Sequence, residues 1–344
     1  MLRAPATKRC AAAVCGGLVG VSFCLASVLY GEPADPMPEV ARGSTPRVTF
    51  GDSGIEGPPY ATIEGGLTAL AVQHPDLVTN VLYGRSVEGR PLRMIEIRRA
   101  SRASGTSDGT PPIVIMSGAV HGNEFLGIED RLPQALVQDG LAAGTGVAKF
   151  LDAGGILWMA PVLNPDGYER ATRGNANGVD LNRDWDLLPT GEKNFREPES
   201  ANLAAFVEEG LRRTGGKVVM SMDYHCCATS LLFPWSWTRD ELPPRDEIGH
   251  EMIARGLQRF LGAEYSFGPT GKILGYLPHG TSKDWFYAKL GALAFTFEGT
   301  WSEEIRNFDK HRSWWNWMLE SFVGRDAEQS ATSFAKPVRR LAAN

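Results

Sequence analysis

The chain has only five cysteines in 344 residues, and three of them, Cys10, Cys15 and Cys24, sit in one apolar N-terminal stretch. A disulfide-built scaffold is therefore excluded. The adjacent pair Cys226 and Cys227 is all that is left beyond that stretch, and we read it as two small side chains lining a packed site, with a vicinal bridge as the other reading. No run of lysine and arginine follows the first ten residues, and the formal net charge is -5. Without a basic field there is nothing to draw a polyanion, so no nucleic-acid partner is expected. No internal repeat or low-complexity block occurs, which sets aside solenoids and arrays. What is present, 43% hydrophobic and 22% charged residues, is the composition of an ordinary soluble globular chain.

Arg3, Lys8 and Arg9 precede a mostly apolar stretch from Cys10 to Tyr30, followed by GEPADPMPE. That pattern predicts an export signal over 1–30 and a periplasmic or secreted protein. The stretch also approaches the roughly 20 residues that span a bilayer, so an uncleaved N-terminal membrane anchor is its other reading. Phe23 directly before Cys24 gives no lipobox. Residues 31–58, rich in Pro, Gly and small polar residues, read as a linker. One folded domain is expected over 59–323, and 324–344 reads as a tail.

A helical pattern starts at Tyr60, and two strands follow at 78–83 and 92–97. Four continuous apolar runs then stand out: IVIMSGAV (113–120), ILWMAPVL (156–163), VVMSMDY (218–224) and ALAFTF (292–297). Runs without alternation suit strands covered on both faces, so the expected fold is a single α/β domain with a mixed, mostly parallel sheet flanked by helices. Each run is followed by a polar residue, His121, Asn164, His225 or Glu298. Ligands of open α/β sheets collect at the carboxyl ends of strands, so these residues are expected to converge.

His121 and Glu124, three apart at a strand-to-helix junction, can face one point. His225 at the end of a second buried strand completes a His2Glu set with a fourth position open, the pattern of a catalytic zinc site holding one ion.

The motifs HGNE, NPDGY, TRGNANGVDLNRDW, DYHCCATSLLFPW, GYLPHGTSKDW and FTFEGT occur in that order. Together they resemble the M14 zinc carboxypeptidases over about residues 60–320, as a short bacterial-type member. The space before Tyr60 leaves no room for a large pro-domain, so activation by its removal is not expected. The resemblance implies zinc on His121, Glu124 and His225, and a peptide substrate with a free C-terminal carboxylate. It implies Glu298 as the carboxylate that moves the water proton, and Arg173 as the oxyanion-stabilising arginine, with Arg170 the neighbouring alternative. Asn182 and Arg183 match the pair that grips the α-carboxylate, and Tyr276 the tyrosine that closes over substrate.

Two departures matter. Asn123 stands between the ligands where digestive members often carry arginine, and HGNE also resembles the succinylglutamate desuccinylase and aspartoacylase branch, which cleaves N-acyl amino acids. Lys283 occupies the position of the specificity determinant at the base of the S1′ pocket, which implies an acidic side chain on the released residue. A peptidoglycan stem peptide fits that demand. An inactive carboxypeptidase-like binding module is the reading from another class, and Glu298, Arg173 and the full ligand set speak against it.

Overall fold

The structure, a computed structural model, describes residues 48–50, 55–99, 109–300 and 304–323. It opens with an antiparallel ribbon of β1 (Val48–Phe50) and β2 (Ile55–Gly57). This corrects the reading of 31–58 as linker throughout, because Val48 packs against the main core. The overall Pro and Gly content hid that short pairing. The export segment and the tail after residue 323 lie outside the described residues. Among the described residues, no helix is long and apolar enough to cross a membrane.

The helix α1 (Tyr60–Gln73) leads into the antiparallel pair β3 (Val78–Arg85) and β4 (Pro91–Ile97). Next come β5 (Pro112–Gly118), the helices α2 (Leu132–Leu141) and α3 (Gly146–Asp152), and β6 (Ile156–Ala160). The short α4 (Pro165–Arg170) and the long α5 (Pro198–Thr214) precede β7 (Lys217–Cys226) and β8 (Ser230–Phe233). The chain closes through α6 (Pro244–Leu261), β9 (Ser266–Pro269), α7 (Thr270–Ile273), α8 (Ser282–Leu290), β10 (Leu293–Gly299) and α9 (Phe308–Ser321).

Eight strands form one sheet in the order β3-β4-β6-β5-β7-β10-β8-β9. Its centre, β6-β5-β7-β10, is parallel, and antiparallel pairs flank it on both sides. Every residue of β5 and β6 is buried, as unalternating apolar runs require. Helices α1, α2, α3, α6 and α9 cover one face through side chains such as Leu67, Leu136, Phe150, Leu257 and Trp314. Helices α5 and α8 cover the other through Leu203, Val207, Trp285 and Phe286. A methyl group on Gly210 would lie 2.5 Å from the Trp158 ring, so only glycine lets α5 come this close to the sheet. The sheet edge at β8 and β9, each four residues long, was not anticipated; runs this short carry almost no periodicity.

Candidate active site

The neighbouring parallel strands β5, β7 and β10 end on the same side of the sheet, as parallel pairing demands. In the β7–β10 register, Glu298 lies directly beside His225. His121 follows β5 by three residues on a loop pressed against α4, where a Cβ on Gly122 would collide with the Gly167 and Tyr168 backbone. Asn164 tightens this contact. Its Oδ1 accepts from Gly167 N at 2.9 Å, and its Nδ2 donates to Val120 O at 3.2 Å. Asn164 was expected to join the converging set. Instead it is fully buried and holds the ligand loop in place, outside the pocket.

The nine residues given metal, catalytic or substrate roles from the sequence line one pocket: the triad His121, Glu124 and His225, with Glu298 and Arg173, and then Asn182, Arg183, Tyr276 and Lys283. Arg170 is not among them; it pairs with Glu88 instead. The pocket is also lined by Cys226 and Cys227, whose sulfurs form a disulfide. Of the two readings of that pair, the structure has the vicinal bridge.

The triad atoms converge closely. His121 Nδ1 lies 2.8 Å from Glu124 Oε2, His225 Nδ1 lies 3.1 Å from the same oxygen, and the two Nδ1 atoms are 3.2 Å apart. Behind each ring stands a carboxylate: Asp180 Oδ1 is 2.8 Å from His121 Nε2, and Asp223 Oδ2 is 2.9 Å from His225 Nε2. An ionised carboxylate only accepts, so Asp180 and Asp223 suit rings that carry a proton on Nε2, and in the tautomer with Nδ1 free each ring can ligate a metal. In that tautomer both Nδ1 lone pairs and Glu124 Oε2 face one point, where a bound cation offsets their mutual repulsion. Two imidazoles and one carboxylate, all buried, are the donor set of a catalytic zinc site, and the residues fit that ion.

Neither Asp180 nor Asp223 was singled out from the sequence. Asp223 had a legible signal, because two residues before His225 on a strand means the same face. It also accepts from the hydroxyls of Ser117, at 2.8 Å, and Ser282, at 2.9 Å. Asp180 caps the 3₁₀ turn Leu181–Arg183 through Asn182 N at 2.9 Å while reaching the ring. Burial raises its carboxyl, but the His121 contact outweighs this and holds Asp180 well below the usual carboxylate range.

Arg173 spans two of these acids, with Nη1 2.9 Å from Glu124 Oε1 and Nε 3.0 Å from Asp180 Oδ2. Asn182 Oδ1 accepts from Ser282 N at 3.0 Å and so ties the pocket to the start of α8. Tyr276 is 54% exposed at the rim, while Lys283 is 2% exposed at the base. Burial pushes the Glu298 carboxyl up, Glu124 adds to this, and the nearby His225 and Lys283 oppose it. The pocket therefore joins a cation-seeking triad, a carboxyl of raised proton affinity and a set of cationic side chains.

A zinc carboxypeptidase family model (Peptidase_M14) matches residues 63–311. Mouse carboxypeptidase A6 is 27% identical over 265 residues, covering 69% of this chain and 58% of its own length. Carboxypeptidase SOL1 of Arabidopsis thaliana is 31% identical over 228 residues, covering 62% of this chain and 44% of its own. The chain thus spans less than two thirds of these curated relatives. Among solved structures, the crystal structure of thrombin activatable fibrinolysis inhibitor shares the fold with a TM-score of 0.65 at 20% identity, over 78% of this chain and 75% of that one. With the matching model spanning most of the chain and the triad in place, this protein belongs to the zinc carboxypeptidase family.

Proposed function

We propose that the chain is a zinc metallocarboxypeptidase that hydrolyses the C-terminal amide bond of a peptide and prefers an acidic side chain on the released residue. One observation carries the preference. Lys283 lines the pocket base almost wholly buried, with no ion-pair partner among the described residues. Burial lowers its pKa, against the opposing fields of Asp284, Glu298 and Asp223. An ammonium withdrawn from water without a partner is costly, and a substrate's distal carboxylate supplies that partner.

His121, Glu124 and His225 would hold the zinc, which supplies Lewis-acid polarisation of the scissile carbonyl and a lowered pKa for the attacking water. The chain's own groups do the rest. Glu298 takes the water proton and passes it to the leaving amine, a shuttle suited to a carboxyl whose proton affinity burial has raised. Arg183 and Asn182 grip the α-carboxylate, for which a planar guanidinium fork is the matching donor. Arg173, already beside Glu124, turns N–H toward the oxyanion. Tyr276 at the rim closes over the bound peptide.

A residue released with both an α-carboxylate and a distal one matches Arg183 and Lys283 together. Peptidoglycan stem peptides present that pair on diaminopimelate, and the N-terminal segment, read as an export signal or anchor, would place the enzyme where they occur. Comparison of kcat/KM for peptides ending in Glu, Lys and Phe tests the preference. Glu is expected to lead by about tenfold or more, and Lys283→Met to abolish the lead; a lead for Lys or Phe discards it. Glu298→Gln is expected to keep zinc and lose about 10²–10⁴ in kcat, and near-normal turnover would remove Glu298 from the chemistry. Cleavage of acylated amino acids without peptide hydrolysis would point to the N-acyl amidohydrolase reading.

A further inference from the structure

The hydrolytic chemistry leaves the two pocket cysteines unused. Cys226 ends β7, and Cys227 begins the turn to β8. The two differ in access: Cys226 belongs to the buried core, whereas Cys227 is exposed, and both line the pocket. The Cys226 N–H points at Glu124 Oε2 at 3.4 Å, the oxygen that both histidines approach. The bridge thus lies between backbone that touches a metal ligand and the surface that meets substrate. Arg173, Arg183 and Lys283 line the same pocket together with Glu124 and Glu298, and the exposure of Cys227 gives a reductant access to its sulfur.

We infer that Cys226 and Cys227 form a reversible thiol–disulfide modification site in the pocket wall, opened by a small reductant of the phosphine or dithiol class. The inference rests on the pocket being the peptide site, and the bridged form is the one that binds peptide well.

A phosphine attacks the exposed Cys227 sulfur. The sulfur–sulfur bond breaks, and its electron pair leaves on the Cys226 sulfur, which takes a proton. Water then displaces phosphorus from Cys227, giving a second thiol and the phosphine oxide, so two electrons have passed from phosphorus to the pair. A dithiol reaches the same end point through a mixed disulfide and becomes a disulfide itself.

Opening lets the Cys227 side chain turn independently of Cys226. It also places two thiols where a single compact link met the substrate. His121 and His225 keep their supports in Asp180 and Asp223, and Glu124 keeps its contact with Arg173, so metal is retained. Reduction therefore acts on peptide binding.

The test uses the full-length, zinc-loaded chain purified without reductant. Denaturation in N-ethylmaleimide and peptide mapping are expected to show no label on Cys226 and Cys227, and two labels after native treatment with tris(2-carboxyethyl)phosphine. In parallel, KM for a short peptide is expected to rise about tenfold with kcat and zinc content constant, to return on reoxidation with diamide, and not to respond in the Cys226→Ser/Cys227→Ser double variant. Two labels before reduction, an unchanged KM, loss of zinc, or the same KM rise in the double variant would each overturn the inference. If neither redox state cleaves peptide, the peptidase reading fails, and so does the claim on binding, while the label count still decides whether the thiol–disulfide site exists.

Discussion

Two histidine–glutamate clusters lie on opposite sides of the same strand ends, with opposite outcomes. Tyr224, the neighbour of His225, belongs to the second cluster, as does Thr300, two residues after Glu298. There, His311 and Glu304 are both fully buried, with Nε2 2.7 Å from Oε2. Glu304 Oε1 accepts from Thr300 N at 3.0 Å and from the Tyr265 hydroxyl, and His311 Nδ1 faces the Tyr224 hydroxyl at 3.5 Å. Each donor meets an acceptor, so the cluster is closed. In the first cluster, Asp180 and Asp223 occupy the outer nitrogens and leave both Nδ1 atoms converging with Glu124 Oε2 on one point. The composition is similar; the carboxylates behind the rings decide which cluster seeks a cation.

The sharpest way to break this contrast is to remove one ring from each. His225→Ala is expected to lose stoichiometric zinc and, with it, at least about 10³ in kcat/KM. His311→Ala is expected to keep zinc but to lose roughly 3–5 kcal/mol of stability, because Glu304 is left buried without its partner. Zinc content by elemental analysis and denaturant midpoints separate the two, and a folded His311→Ala protein without zinc would collapse the distinction. A smaller effect tests the outer carboxylates. Asp223→Asn keeps the shape but weakens the orientation of His225, so zinc affinity by chelator competition should fall about 10- to 100-fold, while Glu304→Gln leaves it unchanged.

The first cluster was legible in the sequence and the second was not. Strands β5, β7 and β10 announced themselves as unbroken apolar runs, and a strand's end fixes where the next polar residue goes. Glu304 and His311 stand in no such run, and their pairing depends on how α9 returns across the sheet, which no local pattern encodes. Asn164 shows the opposite limit: its position after β6 promised a site residue, yet cap formation claimed its side chain. The sulfur link at Cys226 and Cys227 stayed one of two readings because adjacency alone says nothing about how two side chains turn.

The pH response sharpens the comparison further. In the proposed mechanism Glu298 works as a base only when ionised, and burial, with Glu124 beside it, raises its carboxyl above the ordinary 4.5. Activity is therefore lost as pH falls through that raised value, and the acid limb of kcat/KM reports it. Lys283 opposes the rise, so Lys283→Met should move the limb to higher pH than in the parent. An unmoved limb would mean that the ammonium and the base do not sense each other.

The smallest expected effect concerns a buried glutamate that has neither a histidine nor an arginine. Glu129 closes the loop carrying His121 and Glu124 by accepting from Leu126 N and Ile128 N at 3.1 Å. Burial pushes its carboxyl up from 4.5 to about 8, against the pull of those N–H groups. Between these two values the folded chain binds a proton that the unfolded chain releases, so stability declines as pH rises through the interval. Glu129→Gln keeps an acceptor oxygen but cannot ionise. Its Tm should therefore fall less steeply over that interval than the parent's, with zinc affinity unchanged, whereas Glu129→Ala should lower Tm at every pH by leaving the loop amides unpaired. Parallel Tm profiles for the parent and Glu129→Gln would show that the loop holds an ionised carboxylate at neutral pH, and that backbone N–H groups alone can do for Glu129 what histidines do for Glu124 and Glu304.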